Sequence, residues 1–174
     1  MKTLAFIANL TGLGAVMIAS LIKGNKITKT LILLWLGNFL VSAGYILSGT
    51  GIAGAASGML ACVQISINYF FERKNRPVPL WLIGIYMLCF AVMNLAIEGI
   101  AVSTALATLA CFAFVISILQ KSGKNYRICG IVNTILWSTY DIITHSFNAL
   151  LTHGTLLAVN IFGFVIHDIR KKKD

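Results

Sequence analysis

Residues 26–46 read KITKTLILLWLGNFLVSAGYI, and residues 121–141 read KSGKNYRICGIVNTILWSTYD. Both stretches open with basic residues and run on into an apolar segment. Both carry an Asn in that segment and a Tyr seven positions later. A shift of 95 residues lays Lys26 on Lys121, Lys29 on Lys124, Asn38 on Asn133 and Tyr45 on Tyr140. One more residue of slip lays Gln64 on Asn160. The chain therefore reads as two copies of one hydrophobic pattern, and the question becomes how each copy crosses a bilayer.

Working outward, the whole chain has that character. Of 174 residues, 58% are hydrophobic and 11% charged, where a soluble domain has about 45–50% and about 25%. This composition excludes a soluble enzyme, a disordered tail and a nucleic-acid-binding module. A spanning helix needs about 20 mostly apolar residues. Seven such runs follow one another: Thr3–Ile22, Thr30–Ser48, Gly51–Phe71, Pro79–Ile97, Ile100–Leu119, Ile128–His145 and Asn148–His167. They do not alternate apolar and polar residues, so helices are predicted and not a β-barrel.

The basic residues supply the orientation. Lys23, Lys26 and Lys29 follow the first run; Arg73, Lys74 and Arg76 follow the third. Lys121, Lys124 and Arg127 follow the fifth, and Arg170, Lys171, Lys172 and Lys173 follow the seventh. The connections at Ser48–Gly51, Glu98–Gly99 and His145–Asn148 hold no Lys or Arg. Basic loops stay cytoplasmic, so seven spans with the N-terminus out and the C-terminus in satisfy all but Lys2 among the 14 basic residues. A signal peptide over residues 1–22 is the competing reading. No A-x-A site closes that run, and the three lysines after it would resist translocation.

Pairing the first three runs with the last three leaves the fourth alone. Three crossings reverse direction, and one extra crossing restores it. The expected fold is all-α: two parallel three-helix bundles, residues 1–71 and 99–174, joined through a linker helix in residues 72–98. An axis along the membrane normal relates such repeats and sets matching residues opposite each other around a central path. The path is expected to be lined by Asn38, Tyr45, Gln64, Asn133, Trp137, Tyr140 and Asn160. Asn133, Trp137, Tyr140 and Asp141 share a helix face. Ser42 and Ile46 stand where the second copy has Trp137 and Asp141, so the expected pocket is asymmetric and suits a small polar or aromatic solute. For Trp137 and Tyr140 the alternative is packing or headgroup anchoring, and for the amides it is interhelical hydrogen bonding.

Asp141 and His153 are ionisable groups within runs, where such groups are costly. Each lies six positions from Phe147, at the turn between their runs. At about 1.5 Å per residue both sit roughly 9 Å below that turn. They share a depth and can touch. A proton-sensitive pair, a cation site, a structural polar pair and simple interfacial exposure all remain open readings. Asn68 and Asn94 read as interhelical glue, Trp35 and Trp81 as interface anchors, and Gly54-x-x-x-Gly58 as a packing contact. Cys62, Cys89, Cys111 and Cys129 read as buried small hydrophobes, with no disulfide or zinc spacing. The final basic run is expected to meet anionic headgroups at the cytoplasmic face. There is no H-E-x-x-H, no G-x-S-x-G, no paired carboxylates and no P-loop. Neither catalysis nor a cofactor or metal is expected. The chain reads as a small-solute transporter or facilitator; the second reading is a non-transporting membrane protein that stabilises or regulates a partner. A homo-oligomer stays open.

The 3+1+3 plan resembles the SWEET and PQ-loop transporter superfamily, including the PnuC vitamin-precursor transporters. In length and local sequence the chain resembles the YgjV-like bacterial inner-membrane proteins. Gly44 through Ala55 carries that resemblance in the first half, and Trp137 through Asn160, leading into Arg170–Lys173, in the second. The resemblance implies a multi-pass location in the bacterial inner membrane and alternating access to a central pocket. It also implies that Gln64 and Asn160, as amides on the third helix of each bundle, face the solute. The superfamily's Pro-Gln hinge is absent, since the only prolines are Pro77 and Pro79. Gly12, Gly14, Gly37 and Gly44 are the residues expected to allow bending instead.

Overall fold

The computed structural model describes residues 2–21, 27–120 and 122–166. Seven helices appear among them: α1 (Lys2–Leu21), α2 (Ile27–Ser48), α3 (Ile52–Arg73), α4 (Leu80–Glu98), α5 (Val102–Ile118), α6 (Gly123–Ile143) and α7 (Phe147–Phe164). No strand occurs among the described residues. Lys23, Lys26, Lys121, His167 and the basic tail Arg170–Lys173 lie outside them.

Local chemistry explains where the helices stop. The α2–α3 turn puts Gly49 at φ +72° and Gly51 at φ +64°, values that glycine adopts without steric cost. After α3 the chain turns at Asn75 (φ +50°). Pro77 and Pro79 then deny it backbone donors until α4 begins. Unpaired backbone groups cannot be left in hydrocarbon, which keeps the turns short.

By length and apolar composition, Thr28–Ser48, Ile52–Arg73, Leu80–Glu98 and Phe147–Phe164 can each cross a membrane. Thr3–Ala19 and Val102–Ile118 are shorter apolar helices. The sixth helix begins five residues before the apolar run read from sequence and draws Lys124 and Arg127 into its first turns. Arg127, assigned from sequence to an exposed basic connection, is instead buried. Its stem lies where Gly163 has no side chain: a Cβ there would come within 3.3 Å of Arg127 Cδ.

Exterior and interior are inverted relative to a soluble protein. Ile100 is 100% exposed and Leu80 85%, and Phe70, Leu88 and Phe147 also face outward. Ser57, Gln64, Asn68, Asn94 and Asp141 are buried. Water would penalise that outer surface by about 25 cal/mol per Å²; lipid does not. Of the cysteines, Cys62 and Cys111 are buried as expected, but Cys89 is exposed on α4 and Cys129 is half-buried. A thiol is apolar enough to face lipid, so the sequence alone could not assign its side. Trp81 and Trp35 are both exposed.

Small and polar residues make the helix contacts. Helix α2 packs between α1 and α3, and α6 between α5 and α7. Helix α1 also packs on α7 and α3 on α5, while α4 fits against α3 and α5. Gly12, Gly37 and Gly44 serve as contact points: Gly12 and Gly37 oppose each other across α1–α2, and Asn9 seats on Gly44. Gly58 receives Ser42, where a Cβ would lie within 3.2 Å of the Asn38 carbonyl oxygen. Asn94 ties three helices, accepting from Ser57 Oγ at 2.9 Å and donating to Thr108 Oγ1 at 3.3 Å. Asn68 accepts from the Tyr86 hydroxyl at 3.4 Å. Replacing Asn94 by Leu would strand the buried Ser57 hydroxyl. The expected loss is about 1 kcal/mol of unfolding free energy in detergent; an unchanged unfolding curve would show that the tie carries no weight.

Candidate functional site

The site begins with one carboxylate. Asp141 is 0% exposed, and each of its oxygens has a partner from another helix. Oδ1 accepts from the Tyr45 hydroxyl of α2 at 2.7 Å. Oδ2 lies 2.6 Å from His153 Nδ1 of α7. The depth arithmetic along α6 and α7 thus ends in direct contact. Asp141 is fully buried and the His153 side chain nearly so. Tyr45 reaches Asp141 because α3 has no side chain in its way. A Cβ at Gly51 or Gly54 would lie 2.7 or 2.8 Å from the Tyr45 ring.

Aromatic faces extend the arrangement. His153 stacks on Trp137 with ring centroids 5.7 Å apart and 15° between planes. Trp137 meets Tyr140 edge-on at 5.3 Å. The Tyr140 hydroxyl donates to Glu98 Oε1 of α4 at 2.6 Å. The repeat mates Tyr45 and Tyr140 therefore make the same kind of bond, each from hydroxyl to a carboxylate on another helix. Sequence reasoning treated Glu98 only as part of a neutral connection. The matching tyrosines were the available signal: finding a carboxylate for one raises the question of a carboxylate for the other.

Below the Tyr45–Asp141–His153 tie lies a cavity of about 100 Å³, enough for several water molecules or a small solute. Asn38, Tyr45, Asn133, Trp137, His153 and Asn160 line it. Gln64, Tyr140 and Asp141 do not. Asn38 and Asn133 each have an amide donor engaged, on the Leu34 carbonyl at 2.8 Å and the Ala110 carbonyl at 2.7 Å. Tyr140 is fully buried beside Ala53 and Ala107. Gln64 is 1% exposed with neither amide atom bonded. It lies on α3, whose neighbours include α4, whereas Asn160 lies on α7, which packs on α6, α1 and α2. Gln64 and Asn160 therefore do not have equivalent surroundings.

Ser42 and Asn160 line the cavity, and Ser42 Oγ and Asn160 Oδ1 are buried without a hydrogen-bond partner. They come from opposite halves of the chain. An unsatisfied buried polar group costs about 1–3 kcal/mol. Ser57, Ser117, Thr134 and Thr152, with Tyr126, complete the polar lining. Serine and threonine are common on helix interfaces, and nothing in their spacing distinguished these four. Among the described residues, no group of three or more His, Cys, Asp or Glu is placed to hold a metal.

An apolar exterior around buried polar side chains defines an all-helical integral membrane protein. The chain belongs to the Imp-YgjV family of bacterial inner membrane proteins, whose model matches residues 6–171. No curated protein matches it, and no solved structure does.

The seating of Tyr45 is testable through its glycine. Gly54→Ala places a methyl against the ring and should lower stability by about 1–3 kcal/mol, read as a reduced melting temperature in detergent. A neutral result would mean that the ring does not hold this position.

Proposed function

We propose that the chain is a small-solute carrier or facilitator whose solute sits in the cavity beneath the Tyr45–Asp141–His153 tie. The observation that supports the reading is that polar residues of both halves, Asn38 and Ser42 from one and Asn133 and Asn160 from the other, line one cavity. Trp137 offers a flat face for a ring, and the amides of Asn38, Asn133 and Asn160 orient polar edges.

In this reading all seven helices cross the membrane with the N-terminus out. Helices α1–α3 and α5–α7 form like-oriented trios, and α4 is the extra crossing. The packing supports it: exchanging the trios turns the α1–α7 contact into the α5–α3 contact, as a two-fold axis along the membrane normal requires. The 3+1+3 arrangement is that of the SWEET-like transporters. The tie then closes the outer end of the cavity. The cluster of Leu31, Leu34, Ile65, Phe114 and Tyr126 closes the basic end. Solute passage needs each seal to open in turn.

Asp141 couples a proton in this scheme. The groups facing it are His153 from α7, Tyr45 from α2 and its neighbour Tyr140, which bonds Glu98 of α4. Protonating the carboxylate weakens its hold on the tyrosine hydroxyl and loosens the outer seal.

Sugars, nucleosides and vitamin precursors are the probes for a thermal-shift screen on the purified protein. A bound solute raises the melting temperature, and Ser42→Ala with Asn160→Leu removes the shift. A protein insensitive to every probe, with a dry interface between the trios, would favour the partner-stabilising role. In proteoliposomes, Asp141→Asn should abolish acid-stimulated uptake. Uptake that stays the same across pH in both proteins would reject the proton coupling.

A further inference from the structure

We infer that the outward-facing groove between the basic ends of α2 and α3 binds one anionic phospholipid, with an acyl chain in the groove and its phosphate held by Arg73 and Lys29. The inference is independent of the solute cavity. It rests on an apolar trough and a set of cations that sit at the same end of the same helix pair.

The groove has a volume of about 290 Å³ and is walled by Leu31, Ile32 and Trp35 of α2 and by Ile65, Tyr69 and Phe70 of α3. Ser66 also borders it, but its hydroxyl donates to the Cys62 carbonyl at 2.8 Å. Ile32, Trp35 and Phe70 are exposed, so the groove opens on the surface that faces lipid. Trp35 is held flat by stacking on Phe39, with centroids 5.4 Å apart and 4° between planes. A rigid aromatic wall loses little side-chain freedom when a hydrocarbon chain lies against it.

Basic residues stand at the same end of both helices. Arg73 comes one turn beyond Tyr69 and Phe70, and its guanidinium carbon lies 5.9 Å from the Tyr69 ring centroid. That contact holds the cation above the groove. Lys29 comes one turn before Ile32 on the facing helix, and Lys74 and Arg76 follow Arg73. Glu72 is the acidic neighbour, outnumbered by these four. An apolar trough under a positive mouth matches an acyl chain under a phosphate. A soluble anion has nothing to place in the trough. A second copy of the chain would bring its own cations against these.

The test uses the full chain in mixed micelles, with tryptophan fluorescence quenched by dibrominated phosphatidylglycerol or dibrominated phosphatidylcholine. Subtracting Trp35→Phe isolates the signal of the groove. The anionic lipid is expected to quench it at about tenfold lower concentration than the zwitterionic one, and Arg73→Gln with Lys29→Gln is expected to abolish the difference. Native mass spectra give the same comparison without a tryptophan substitution: phosphatidylglycerol adducts dominate in the wild type and fall to parity in the double variant. Equal quenching and equal adducts for both lipids in the wild type would overturn the assignment. So would a groove insensitive to both lipids in a protein that runs as a dimer.

Discussion

A carboxylate buried among helices whose outer faces are apolar is the constraint that the rest of this molecule accommodates. Asp141 is fully buried, and burying an unpaired charge or unbonded acid in such a place would cost several kcal/mol. The fold meets this with one partner per oxygen, Tyr45 from α2 and His153 from α7. Those two bonds dictate that α2, α6 and α7 converge at one depth. They also explain why Gly51 and Gly54 stand opposite Tyr45: any side chain there would push the phenol off the acid. The cavity is the space left beneath the convergence.

The remaining interior follows the same economy. Lipid tails are as apolar as leucine, so burying leucine gains little and small or polar residues provide the adhesion. Asn94 joins three helices, Gly12 and Gly37 let α1 and α2 approach, and Gly58 seats Ser42. Many large apolar side chains are left on the outside, although Phe90, Ile65, Leu31 and Leu34 are buried. Not every buried polar atom is satisfied: Ser42 Oγ, Asn160 Oδ1 and both amide atoms of Gln64 are among those without a partner.

Much of the helix pattern was legible in the sequence because bilayer thickness is a one-dimensional constraint on run length. Run lengths located the seven helices to within a few residues, except that α6 starts early, since a helix extends beyond its apolar part when its backbone gains hydrogen bonds by doing so. The Asp141–His153 contact was also legible, because equal distance from a turn fixes equal depth. Tyr45 as the third member was not, because it comes from another helix and depth alone does not say which helices touch. Gln64 failed to join Asn160 at the cavity for a related reason. The repeat predicts equivalent positions, but the fourth helix gives α3 a neighbour that α7 lacks. Arg127 and Cys89 show the remaining limit: a residue's type does not fix which side of its helix meets lipid.

The account stands or falls on the bond between Tyr45 and Asp141, and a double-mutant cycle measures it most directly. Tyr45→Phe, Asp141→Asn and the double variant would be unfolded reversibly in detergent and their free energies compared with the wild type. The two effects should fall short of additivity by about 1 kcal/mol or more. Strict additivity would mean that the phenol and the acid do not meet, and that the closed, tied interior described above is not the protein's structure.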